Sequence, residues 1–177
     1  MTRSVIRRPW KTIIAAVALS AGFLAPAATA ASAQQRAAAV PPGDYCGPQE
    51  GFYGGSQYTY AEVRVCLHFE DGGPPEVRVS NQNNSYYWGG AWYNASANYP
   101  AHWQAEGTVS KGGQTAYYSV SHRQESSNGW AGGGQLPAGE CGAATVTLNF
   151  RQSGPYWTGS ENDIDSGERT YQVDVPC

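Results

Sequence analysis

The sequence is poor in the aliphatic side chains from which most protein cores are built. From Gln34 onward it contains one isoleucine, three leucines, ten valines and no methionine. The same region holds twelve tyrosines and five tryptophans, and each such ring can bury about 150–250 Å² of surface. Valine and aromatic residues favour strands, and no stretch shows the 3.6-residue periodicity of a helix. The sequence therefore predicts an all-β protein.

Basic residues are scarce too, and Lys111 is the only lysine after Gln34. From Gln34 onward, seven basic residues stand against fourteen acidic ones, which gives a net charge of −7. Binding to a nucleic-acid backbone or to an acidic lipid surface depends on clustered lysine and arginine. We therefore expect neither nucleic acid nor membrane as a partner.

The common catalytic and metal-binding motifs are also absent. The sequence has no Gly-x-Ser-x-Gly, no phosphate-binding glycine-rich loop, no His-Glu-x-x-His and no Cys-x-x-Cys. A small hydrolase would have to use scattered side chains, for example His68, Glu70 and Arg78 as acid, base and anion holder. We predict no catalytic residue and no cofactor.

One acidic stretch, residues 160–168, has oxygen ligands of the kind that Ca²⁺ prefers. The carboxylates of Asp163, Asp165 and Glu168 surround Gly167 in this stretch. Their spacing does not fit the twelve-residue EF-hand loop, because the closing glutamate comes too early. We interpret the stretch as a solvated turn and predict no metal site.

The first 33 residues have the features of an export signal. Four basic residues precede an apolar run from Thr12 to Pro26, and small-residue cleavage sites end at Ala30 and Ala33. The run is shorter than the ~20 residues that span a bilayer, so we expect it to be removed. A flexible Ala/Pro-rich lead-in, residues 34–44, then precedes one domain at residues 45–177. We expect an extracellular protein, in which the four cysteines pair.

Alternating apolar and polar residues predict about seven short strands. The clearest is 61–70, and the others begin near 77 or lie at 86–93, 103–110, 116–123, 144–152 and 170–175. Turn-rich segments separate them. This number and spacing predict a single β-sandwich domain, immunoglobulin-like or related, with two disulfides.

Four cysteines allow three pairings. Cys66 lies on the polar face of its predicted strand, and Cys46 is the nearest candidate to cover that face. Cys177 is in phase with the apolar residues of the last predicted strand and would hold the end of the chain to the domain. Of the three possible pairings, we favour the one that joins Cys46 to Cys66 and Cys141 to Cys177.

Residues 86–93 contain five aromatic side chains in eight positions. Neighbouring residues of a strand point to opposite faces, so these rings enter one core only if both faces are covered. Exposed tyrosine and tryptophan stack on sugars or anchor protein interfaces, and the adjacent Ser/Asn/Gln/Gly-rich loops have the composition of adaptable recognition loops. The candidate binding residues are Tyr86, Tyr87, Trp88, Trp92 and Tyr93.

The layout of an alanine-rich signal, a Pro/Ala lead-in and a compact two-disulfide β domain resembles that of small secreted actinobacterial proteins. These include extracellular enzyme inhibitors, carbohydrate-binding modules and the adaptor subunit of umbrella toxin particles. The resemblance implies a non-catalytic module that binds another secreted or cell-surface protein as a subunit of an extracellular complex. The alternatives are a carbohydrate-binding module whose partner is a polysaccharide, an exoenzyme inhibitor, and a small secreted hydrolase.

Overall fold

The computed structural model describes residues 40–71, 73–136 and 141–177. The predicted export signal and residues 34–39 of the lead-in lie outside this part of the chain. The described residues include no helix long and apolar enough to cross a membrane. They form ten strands: β1 (Gly43–Cys46), β2 (Glu50–Tyr53), β3 (Thr59–Phe69), β4 (Glu76–Trp88), β5 (Ala91–Asn94), β6 (Ala101–Lys111), β7 (Gln114–Gln124), β8 (Gly129–Gln135), β9 (Gly142–Ser153) and β10 (Ile164–Val175).

The strands are arranged in two antiparallel sheets. In the six-stranded sheet the order is β1-β3-β4-β5, with β2 also paired to β3 and β8 also paired to β4. In the four-stranded sheet the order is β10-β9-β6-β7. Inward-facing side chains of both sheets form one hydrophobic cluster. The fold is therefore the predicted all-β sandwich.

The core follows the alternation seen in the sequence. On β3, Val63, Val65 and Leu67 are at most 1% exposed, and the polar residues between them face outward. Strand β9 contributes Leu148 and Phe150 from the opposite sheet, both fully buried. Each such aliphatic or phenyl side chain stabilises the fold by about 1.5–3 kcal/mol when it leaves water.

Ten strands occur where the sequence predicts about seven. The additional strands β1, β2 and β5 have only four residues each. Strand β8 has the sequence GWAGGGQ, and so high a glycine content is not typical of a strand. A Cβ atom at Gly133 would lie 2.9 Å from Val120, and one at Gly134 would lie 2.6 Å from Tyr118. Because these glycines have no side chain, β8 can pack directly against β7 of the other sheet.

Both predicted disulfides are confirmed. Cys46 and Cys66 are directly opposite each other on β1 and β3, and their bridge closes a segment of 20 residues. Cys141 precedes β9 and Cys177 follows β10, and their bridge closes a segment of 36 residues. Disulfides of this kind are typical of extracellular proteins.

We predict that removing either bridge destabilises the domain strongly. The double variants Cys46→Ala/Cys66→Ala and Cys141→Ala/Cys177→Ala should each lose about 3–4 kcal/mol of unfolding free energy, since the unfolded chain regains loop entropy. Urea unfolding of each variant beside the oxidised wild type measures this loss. A loss below about 1 kcal/mol in either variant would contradict the loop-closure argument.

Candidate functional site

The aromatic segment is a β-hairpin, and not the single strand that the sequence predicts. Strand β4 ends at Trp88, β5 begins at Ala91, and Gly89 and Gly90 between them have φ angles of 57° and 94°. Positive φ at both central residues is the requirement of the type I′ turn, whose twist matches that of the flanking strands. The register pairs Tyr86 with Tyr93 and Tyr87 with Trp92.

One face of the hairpin carries rings arranged around Tyr86. This ring is 6% exposed and stacks on Tyr156, with the ring centroids 5.1 Å apart. Its cross-strand neighbour Tyr93 lies 5.7 Å away, and Tyr99 meets it edge-on. Trp88 packs on Tyr156 at 5.3 Å. Tyr93, Tyr99 and Trp88 remain 43–49% exposed, so this face has a buried ring at its base and exposed rings above it.

The opposite face carries rings arranged around Trp92. Tyr87 lies 5.6 Å from it across the hairpin, and Tyr53 and Tyr60 each lie 6.4 Å from it. Tyr58 stacks on Tyr87 with an interplanar angle of 15°. Tyr53, Tyr58 and Trp92 are 45–55% exposed. The second face of the hairpin is therefore also partly covered and partly open.

Trp157, in the segment between β9 and β10, connects the two faces. Its ring contacts Trp88 at 5.5 Å and Tyr58 at 5.7 Å, and its Nε1 donates a hydrogen bond of 2.8 Å to the Tyr87 carbonyl. The result is one continuous set of rings, which we call the aromatic cluster: Tyr53, Tyr58, Tyr60, Tyr86, Tyr87, Trp88, Trp92, Tyr93, Tyr99, Tyr156 and Trp157.

The structure brings together all five residues that the sequence singled out, but they differ in exposure. Trp88, Trp92 and Tyr93 are exposed, Tyr87 is half-buried, and Tyr86 is buried. The other six rings of the cluster were missed. Five of them come from distant segments that only the tertiary fold brings to the hairpin, and Tyr99 lies in the loop directly after β5. The closeness of Tyr99 and the consecutive aromatic residues at 156–157 were the local signals for them.

Buried amide side chains join the two sheets below the hairpin. Asn81 and Asn84 of β4 both donate to Oε1 of Gln152 on β9, at 2.7 and 2.9 Å. Nε2 of Gln152 donates in return to Oδ1 of Asn84 and to the Gly154 carbonyl. All three side chains are at most 2% exposed. These bonds position the base of the hairpin against the loop that follows β9.

The hydroxyl of Tyr60 is held in its protonated form at the edge of the aromatic cluster. It donates to a carboxylate oxygen of Glu62 at 2.8 Å. Burial, and then the hydrogen bond and negative charge of Glu62, raise the pKa of Tyr60 to about 12. The ring therefore stays neutral at any physiological pH.

The residues of the hydrolase interpretation lie together on the outer face of the six-stranded sheet. His68 Nδ1 is 2.7 Å from Asp44, and its Nε2 is 3.1 Å from Glu70. Arg78 lies 2.8 Å from Glu76 and 3.7 Å from Glu70. Carboxylates contact both imidazole nitrogens, so this arrangement leaves no ring nitrogen open to a substrate.

The acidic stretch forms the start of β10 and the loop before it. Asp165 Oδ1 accepts the Gly167 N–H at 2.9 Å, and its Oδ2 lies 3.5 Å from Arg151. Among residues 40–71, 73–136 and 141–177, no group of three or more His, Cys, Asp and Glu side chains is placed to hold a metal ion.

The chain matches no protein-family model, no curated protein and no solved structure. Its function must therefore be argued from the geometry of its own surfaces.

We predict that Gln152→Leu destabilises the domain by about 2–4 kcal/mol, although leucine is apolar and of similar size. The substitution leaves the buried amides of Asn81 and Asn84 without their shared partner, and each unsatisfied group costs about 1–3 kcal/mol. Urea unfolding measures the loss, and the exposed Gln104→Leu on β6 is the matched control. Equal stability of the two variants would show that the amide network contributes nothing.

We predict that stability falls at alkaline pH through buried tyrosines. A phenol whose pKa rises from 10 to about 12 on folding stabilises the fold fully below pH 10. That contribution is lost as the pH rises through about 12, because only the unfolded phenol ionises readily between these values. Urea unfolding across this range should show the decline, and Tyr60→Phe should make it shallower. An identical pH profile for the variant would contradict the raised pKa.

Proposed function

We propose that this is a non-catalytic, extracellular binding protein that contacts another protein through the aromatic cluster. One observation supports this most directly. Of the eight large apolar side chains that are exposed in the described part of the chain, six belong to the cluster: Tyr53, Tyr58, Trp88, Trp92, Tyr93 and Tyr99. Contiguous exposed apolar surface of this kind is uncommon on monomers and marks interaction sites.

The chemistry of the surface is that of a protein interface. Tyrosine and tryptophan are enriched at such interfaces, whereas lysine, glutamate and aspartate are depleted at their centres. No charged residue occurs between Arg78 and Glu106, a stretch that contains the whole hairpin. The rings are also held in place by each other, so few side-chain rotamers have to be ordered on binding.

The orientation of the rings favours a protein over a polysaccharide as the partner of this surface. A sugar stacks on an open, flat ring face. In the cluster, exposed rings meet their neighbours at very different angles, 15° between Tyr58 and Tyr87 but 62° between Tyr53 and Trp92. The surface is therefore uneven and is suited to interlocking with protein side chains.

Extracellular location is part of this proposal. It is supported by the two disulfides and by the predicted export signal at residues 1–33. The resemblance in layout to adaptor subunits and inhibitors of secreted systems is consistent with a protein partner.

We predict that Trp92→Ala weakens partner binding by about 2 kcal/mol, or about 30-fold, with little loss of fold stability. The partner is first captured from culture supernatant on immobilised wild-type protein and identified by mass spectrometry, and its affinity for each variant is then measured. Trp130→Ala is the matched control, because Trp130 is also an exposed tryptophan but lies outside the cluster.

Two outcomes would contradict the proposal. The first is unchanged partner affinity in Trp92→Ala, combined with unchanged affinity in Trp88→Ala. The second is capture of neutral polysaccharides by the wild type that both tryptophan substitutions abolish, which would identify the cluster as a carbohydrate-binding surface.

A further inference from the structure

A second candidate site lies on the outer face of the six-stranded sheet, away from the aromatic cluster. Arg64 on β3 pairs in register with Ser80 on β4, and Ser80 pairs with Trp130 on β8. Adjacent strands are about 4.8 Å apart, so Arg64 and Trp130 stand about 10 Å apart with a small serine between them. This row of a large, a small and a large side chain forms a cleft of about 450 Å³. That volume is within the range of small-ligand sites.

Trp130 forms one wall of the cleft. Its ring is 57% exposed, and the guanidinium carbon of Arg78 lies 4.8 Å from the ring centroid. This cation–π contact holds the ring in one orientation. A fixed and exposed indole is a surface on which the apolar face of a sugar ring stacks.

Arg64 forms the other wall, and it differs from the remaining arginines of the described chain. Arg78, Arg123, Arg151 and Arg169 each lie beside a carboxylate. Arg64 has no carboxylate partner among the described residues. Its Nη2 donates to the Gln49 side chain at 2.8 Å, and its buried Nε has no hydrogen-bond partner there.

The acidic side chain nearest to Arg64 along β3 already has other hydrogen-bond partners. Glu62 accepts hydrogen bonds from Tyr60, Gln49 and Asn83. A partly buried guanidinium without a counter-ion is costly, and its planar donors match a carboxylate in a bidentate arrangement. In a domain as acidic as this one, an arginine left without a carboxylate is available to an external anion.

We propose that this cleft binds a carboxylated sugar, such as a uronic acid residue of an acidic polysaccharide. The carboxylate pairs with Arg64, the sugar ring stacks on Trp130, and Ser80 and Gln82 offer hydrogen bonds to its hydroxyl groups. A singly charged carboxylate fits better than a phosphate dianion, because Asp44 also lines the cleft and opposes a second negative charge.

Calorimetric titration with a galacturonic acid trisaccharide and a glucuronic acid disaccharide tests the proposal, with their methyl esters as neutral counterparts. We expect an acidic sugar to bind at least about tenfold more tightly than its ester, because the neutral ester cannot form the hydrogen-bonded ion pair with Arg64. We expect Arg64→Gln and Trp130→Ala each to weaken binding about tenfold, and Arg64→Lys to weaken it less.

The matched control is Trp92→Ala, which removes an exposed tryptophan of the aromatic cluster and should leave sugar binding unchanged. Equal affinity for acid and ester, unchanged binding in Trp130→Ala, or no binding of either acidic sugar to the wild type would overturn the proposal. The comparison of acid with ester uses the wild type alone, so it tests the proposal even if Arg64→Gln does not fold. Because the two proposals use different tryptophans, either one can fail without the other.

Discussion

The hydrogen bonds of Gln152 are the interaction on which the position of the aromatic hairpin depends. The hydrophobic core ends before the hairpin begins, and an isolated two-stranded hairpin is only marginally stable in water. By joining Asn81 and Asn84 of one sheet to β9 of the other, Gln152 fixes the base of the hairpin to the body of the sandwich. The rings can then pack on both faces of a hairpin whose position is already determined. A polar connection of this kind specifies one geometry, because a shifted register would leave buried amides unsatisfied.

The shortage of aliphatic residues explains why polar bonds recur inside this core. A core that uses tyrosine and tryptophan in place of leucine must also bury their hydroxyl and indole N–H groups. Trp103 donates to Gln124 at 2.8 Å, Tyr118 to the Thr147 carbonyl at 2.8 Å, and Tyr171 to Glu50 at 2.7 Å. Burial raises the pKa of both tyrosines, so these donors keep their protons. Aromatic rings therefore act in two roles here, as partnered core residues and as exposed cluster residues.

Local patterns in the sequence were sufficient for the parts of the fold that local chemistry determines. Alternation identified β3 and β9, and the position of Cys66 on a polar face led to its pairing with Cys46. Strand β8 could not be predicted, because its glycines are required by the contact with β7, which is a property of the packed sandwich. The rings of Tyr58 and Trp157 were missed for the same reason, since the segment before β3 and the loop after β9 reach the hairpin only in the folded chain.

Strand β4 connects the two proposed sites, because it carries Ser80 in the cleft and Trp88 at the tip of the hairpin. These residues are eight positions apart, which corresponds to at most about 27 Å, because Asn83 between them has a positive φ and shortens the strand. The two sites are also connected by Glu62, which pairs with Gln82 of the cleft and accepts a hydrogen bond from Tyr60 of the aromatic cluster. Since β4 is held on one side by β3 and on the other by β8 and β5, both sites are built on the same rigid element. Under the two proposals taken together, the fold sets the distance between the bound sugar and the bound protein.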